Sequence, residues 1–198
     1  MSARYRHTDL IDTTRQLFTA AGLNPDIAQV VAEILVEADL LGFSTHGLQF
    51  VPAYMAALEA GNWTTEGTPK IINDSGAAIR LDAHGLPGQW SVVKALELAL
   101  TRCQHHPVVS VAMGRSQNIS CLATYCRRAA EAGVMAIVTT SAPGNAAVAP
   151  IGGRAPRYST SPIAAGIPAP DHPILFDVAT SSSSNRAIER NRRAGEAL

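Results

Sequence analysis

Through the first 60 positions the apolar residues recur at helical spacing, and from Pro69 onward short β-prone runs alternate with helical ones. Leu10, Ile11, Leu17, Phe18 and Ala21 mark one face of a first helix, with Thr8 or Asp9 as its cap and Gly22 as its stop. Asn24 caps a second helix with Pro25 at its first position, and Ile27, Val30, Val31, Ile34, Leu35 and Ala38 form its stripe. Leu48, Val51, Met55 and Leu58 predict a third helix ending by Gly61, with Pro52 in the first turn, where a missing N–H does least harm.

The runs KIIND and AAIRLD, separated by Ser75 and Gly76, predict a hairpin. Beyond it, helices are expected over 91–103 and 119–132, and strands over 108–113, 134–140, 163–167 and 174–178. This order predicts a mixed α/β core behind a helical cap, divided into domains 1–68 and 69–198. The Pro/Gly-rich stretch 141–160 exceeds an ordinary connection, and long loops of this kind tend to be functional. The serine run 181–185 reads either as a linker or as a polar strand end, and the last residues as a charged helical tail.

Composition narrows the function classes. Of 198 residues, 46% are hydrophobic and 16% charged, so a sizeable core is expected. Sixteen basic residues balance sixteen acidic ones, which argues against nucleic acid or an anionic membrane as partner and for a small-molecule ligand. Three cysteines without CxxC spacing read as reduced thiols, and no apolar run reaches the roughly 18 residues of a membrane span; a cytoplasmic protein is expected.

Candidate chemistry centres on GFSTHGLQF, residues 42–50. Its His46 fits a general acid or base, because imidazole exchanges a proton near neutral pH. It fits equally an ordinary first-turn residue behind a Ser44 or Thr45 cap, and Asp39 is placed to orient the ring. His84, His105 and His106 sit in turns, and no Cys/His cluster has metal-ligand spacing, so no metal is expected. Neither a GxGxxG fingerprint nor a GxSxG elbow is present. Four loops at strand ends remain, GRSQN, TTSAP, STSP and DVATS, whose N–H and hydroxyl donors suit phosphate or carboxylate, or simply turn chemistry.

Five pieces in register, THGLQFVPAYMAAL, GLPGQWSVVKALELAL, APIGGRAP, SPIA and DVATS, resemble the malate/L-lactate dehydrogenase family of non-Rossmann NAD(P)-dependent oxidoreductases. The resemblance implies a helical N-terminal segment beside a mixed, largely antiparallel sheet that holds NAD or NADP, a homodimer, an active site in the cleft between domains, and hydride transfer to a small 2-oxo acid or cyclic imine. It makes His46 the proton donor and Asn118 a second catalytic position, with Phe50, Tyr54, Arg115 and Ser141 at the substrate. Thr140, Pro150, Gly152, Gly153, Thr160, Asp177, Ala179 and Thr180 match cofactor loops.

The departures are specific. Phe50 stands where the family commonly carries a carboxylate-clamping arginine, Asn118 where it places a second histidine, and Ser120 where it has glycine. Arg115 is the neighbouring candidate for anion binding. Family members also continue past Leu198, so the chain reads as C-terminally truncated, with part of its sheet's apolar surface expected to be uncovered. The alternative function is an inactive family member serving as a nucleotide-binding or interaction subunit.

Overall fold

Asn24 accepts from the N–H groups of Asp26 and Ile27 and so starts α2 (Pro25–Leu40), the helix around which the N-terminal part is built. The computed structural model describes residues 4–142, 144, 146–181 and 195. The chain divides into two units, Met1–Cys121 and Leu122–Leu198, so the division falls at 121/122 where the sequence suggested 68/69.

In the first unit, α1 (His7–Ala20) packs on α2 and ends at Gly22, which sits at φ 93°. Thr8 and Asp9 lie inside its first turn, and Arg6 takes the cap position. The inward face of α1 is carried by Thr14 and Phe18, and Leu17 is 44% exposed. α2 is buried on more than one face, adding Ala28, Ala32 and Val36 to the expected stripe. Two short 3₁₀ turns, Ser44–His46 and Leu48–Phe50, lead into α3 (Val51–Glu59), whose first turn takes Pro52. Phe18, Ile27, Val31, Leu35, Phe50, Tyr54, Trp63 and Leu86 close one core.

β1 (Lys70–Asp74) and β2 (Ala78–Asp82) form the hairpin, antiparallel with a register shift between Ile71 and Asn73. β3 (Ser110–Gly114) adds parallel to β2, after the crossover helix α4 (Gly88–Cys103). Ile79, Leu81 and Ala95 make a second, smaller core between this sheet and α4.

In the second unit, β4 (Ala136–Thr139), β5 (Ile163–Ile167) and β6 (Ile174–Val178) form an antiparallel sheet in that order, covered by α5 (Ala123–Glu131). The fold class is mixed α/β, with two three-stranded sheets in place of one. A Cβ on Gly166 would overlap the Cys126 carbonyl, so this glycine lets α5 approach the sheet backbone. The opposite face carries exposed Ile137, Ile174, Phe176 and Val178. The serine run beyond Ser181 and the charged tail, apart from Gly195, lie outside the described residues.

Candidate active site

Gly47 explains the histidine segment locally. A side chain there would collide with the Asp39 carboxylate, which lies against the backbone and accepts from Leu48 N–H at 2.9 Å. Asp39 thus ties the end of α2 to the start of the next turn. The ring of His46 is half-buried, and its Nδ1 lies 2.9 Å from the Thr45 hydroxyl.

Three further segments meet beside the His46 backbone. The Ser120 hydroxyl donates to the His46 carbonyl, and Ser120 N–H donates to Asn118 Oδ1 at 2.8 Å. The Tyr54 hydroxyl donates to the same Oδ1 at 2.8 Å and accepts from Gln89 Nε2 at 2.9 Å. Ser120 adopts φ 60°, the left-handed region that favours glycine, and the resemblance places a glycine here. Its two hydrogen bonds are what hold a serine in that conformation. Asn118 is exposed; Tyr54 and Gln89 are buried.

Phe50 is buried in the helical core, stacked on Tyr54 at 5.2 Å between ring centroids and 6.0 Å from the His46 ring. It backs the histidine as packing and offers no polar contact to a substrate. Arg115 is likewise engaged within the protein. Its guanidinium forms a two-point contact with Asp82, Nε at 2.8 Å and one terminal nitrogen with the other oxygen, and that nitrogen also meets His84 Nδ1 at 2.7 Å. The Arg115 guanidinium, aided by the His84 backbone N–H, holds the Asp82 carboxyl down at about 2. Both Arg115 and His84 adopt positive φ, so this cluster fixes the loops after β2 and β3 at some backbone strain.

In the second unit, the pairing Thr139–Ile163–Val178 brings the end of β4, the start of β5 and the end of β6 to one edge. Thr140, Thr160 and Thr180 follow that line: Thr140 N–H donates to Pro162, and Thr180 donates through N–H and hydroxyl to the Thr160 carbonyl. Ser141 lies 3.5 Å from Ser159, whose hydroxyl meets Ser161 at 3.0 Å. Ala179 sits on the same edge as a half-buried residue. Pro150, Gly152 and Gly153 form an exposed turn, with Gly153 N–H on the Pro150 carbonyl, inside a loop closed by a Val148–Tyr158 bridge.

Asp177 points elsewhere. Its Oδ2 accepts from Leu122 N–H at 2.8 Å and Ala123 N–H at 3.0 Å, so it caps the start of α5. Burial, with Asp177 nearby, pushes the Cys126 thiol up to about 11, which keeps it neutral and unreactive near pH 7. Sequence reasoning did not assign Gln89 or Thr45 to a site, and it named Ser159 and Ser161 only as part of the STSP loop. The visible signal was slight, a glutamine opening an apolar helix and hydroxyls flanking the candidates.

A helical segment ending in a histidine turn, followed by two small sheets whose loops carry hydroxyl donors, defines a class of fold without a glycine fingerprint. The malate/L-lactate dehydrogenase family profile matches residues 5–198, and the chain belongs to that family. It is 33% identical over 171 residues to a Δ1-pyrroline-2-carboxylate/Δ1-piperideine-2-carboxylate reductase of Pseudomonas aeruginosa, covering 86% of this chain and 51% of that one. It is 33% identical over 171 residues to an L-lactate dehydrogenase of Cupriavidus necator, covering 85% and 49%. The crystal structure of malate dehydrogenase from Entamoeba histolytica superposes with a TM-score of 0.94 at 26% identity, over 100% of this chain and 55% of that one. The chain thus spans about half the length of the relatives it matches.

Proposed function

We propose that the protein is an oxidoreductase that moves a hydride between NAD(P)H and a small 2-oxo or 2-hydroxy acid, or a related cyclic imine, with His46 handling the proton. The observation that carries this reading is the hydrogen-bonded cluster of His46, Asn118, Tyr54 and Ser120 in a chain of this family. A hydroxyl can donate or accept, so Thr45 can hold His46 Nδ1 with the ring neutral or protonated as the imidazole exchanges a proton. Asn118 supplies a hydrogen bond, not a proton.

The edge formed by Thr140, Ser141, Ser159, Thr160 and Thr180 fits the polar part of a dinucleotide through the hydroxyl and N–H donors it gathers. When bound, the nicotinamide supplies the hydride. Asp177 holds the start of α5 through Oδ2. A cytoplasmic homodimer is part of the proposal, supported by the resemblance of the motifs.

Engagement of Arg115 by Asp82 and burial of Phe50 favour a second reading, a nucleotide-binding or interaction subunit without turnover. Mixing the protein with NADH or NADPH and a panel of 2-oxo acids and cyclic imines, and following the nicotinamide absorbance, separates the two. Consumption above background is expected, reduced at least about 100-fold in His46→Gln, the scale of general acid catalysis. Full turnover by that variant removes the role of His46, and binding without consumption selects the second reading.

A further inference from the structure

The directions of the hydrogen bonds around Asn118 are determined by one group that cannot be reversed. Ser120 N–H is a backbone donor, so the Asn118 atom it meets at 2.8 Å is the carboxamide oxygen. The Tyr54 hydroxyl, 2.8 Å from that oxygen, must donate to it. Having used its one proton, Tyr54 can only accept, so the Gln89 atom 2.9 Å away is the NH2. The consequence appears at the far end of Gln89: its Oε1, in a side chain with no solvent exposure, has no hydrogen-bond partner. An orphaned buried acceptor is unfavourable, and the opposite amide orientation is closed because Tyr54 has no second proton to give.

We propose that Gln89 and Tyr54 are positioning residues that lock the Asn118 carboxamide with its oxygen inward, so that its exposed NH2 is a fixed donor to a substrate oxygen. The orientation follows from the hydrogen bonds alone; the identity of the ligand rests on the oxidoreductase reading. With Oδ1 accepting from both Tyr54 and Ser120, the group facing outward can donate but not accept. Asn118 therefore takes a carbonyl or carboxylate oxygen and opposes a protonated imine nitrogen, whose N–H would meet another N–H.

The side-chain NH2 of Asn118, observed by ¹⁵N-correlated NMR on the whole chain and assigned by its loss in Asn118→Asp, reads the lock directly. Two proton signals displaced from the free carboxamide positions, with the heteronuclear NOE of a rigid side chain, are expected, and both should move on titration with oxamate, an unreactive 2-oxo acid mimic, in the presence of NADH. Tyr54→Phe should move both signals toward the free carboxamide positions, lower their heteronuclear NOE and weaken oxamate about tenfold, the equivalent of about 1.4 kcal/mol. Gln89→Leu, which removes the orphaned oxygen together with the donor, should keep the melting temperature while loosening the pair and raising the oxamate Kd. A pair at the free carboxamide positions with the heteronuclear NOE of a mobile side chain in the unmutated chain overturns the inference, as does a pair unchanged in either variant. Absence of turnover in the unmutated chain overturns the oxidoreductase reading and leaves the NH2 signals where they are.

Discussion

Asp82 ends β2 with the Arg115 guanidinium on both its oxygens and the His84 N–H at 2.9 Å. Because these partners hold its carboxyl at about 2, below the ~3.9 of an unfolded chain, the stabilisation is complete above that unfolded value and disappears as pH falls toward 2. Melting temperature should therefore drop between about pH 5 and pH 2 in the unmutated protein, and Asp82→Asn should start lower and show a flatter acid limb. An identical acid limb in the variant would show that another group controls it. At this scale the sequence exposed His46 through the intrinsic chemistry of imidazole, and Asn118 through the family resemblance. It could not show that Arg115 is engaged by Asp82, 33 residues away, or that Phe50 points into a core, since both depend on which loops meet.

Elements were legible where the periodicity was strong. β5 and β6 match the runs 163–167 and 174–178, and α2 starts at Pro25 because Asn24 and proline agree on the start. Element ends were set by contacts. α4 begins at Gly88, ahead of the expected position 91, and α5 begins at Ala123, four residues after position 119. Asn118 and Ser120 form local hydrogen bonds in place of a helical turn. A Cβ on Gly88 would overlap the backbone carbonyl of Asn118, so the first turn of α4 presses directly on the loop that carries the candidate site. Gly88→Ala should displace that loop, lowering stability by about 1–3 kcal/mol in denaturant unfolding and reducing turnover as well. Ala at this position with unchanged stability would contradict the close approach.

For the whole molecule, the notable surface is the face of the second sheet away from α5. Ile137, Ala165 and Phe176 lie in register across three strands, and Ile137 and Phe176 are 63% and 45% exposed. Replacing both by lysine should change stability by no more than about 0.5 kcal/mol per site while reducing binding of an apolar dye such as ANS. A loss of several kcal/mol in that variant would mean the face is covered in solution. The sequence by itself determined the helical first segment, the β1–β2 hairpin and the family, and it marked His46 as a candidate, because periodicity, caps and short motifs are encoded by neighbours along the chain. Only the tertiary structure decided the two-unit division, the capping role of Asp177, the engagement of Arg115 and the Gln89–Tyr54–Asn118 chain. Each of these depends on groups far apart in sequence, and hydrogen-bond direction is fixed only when both partners stand in place.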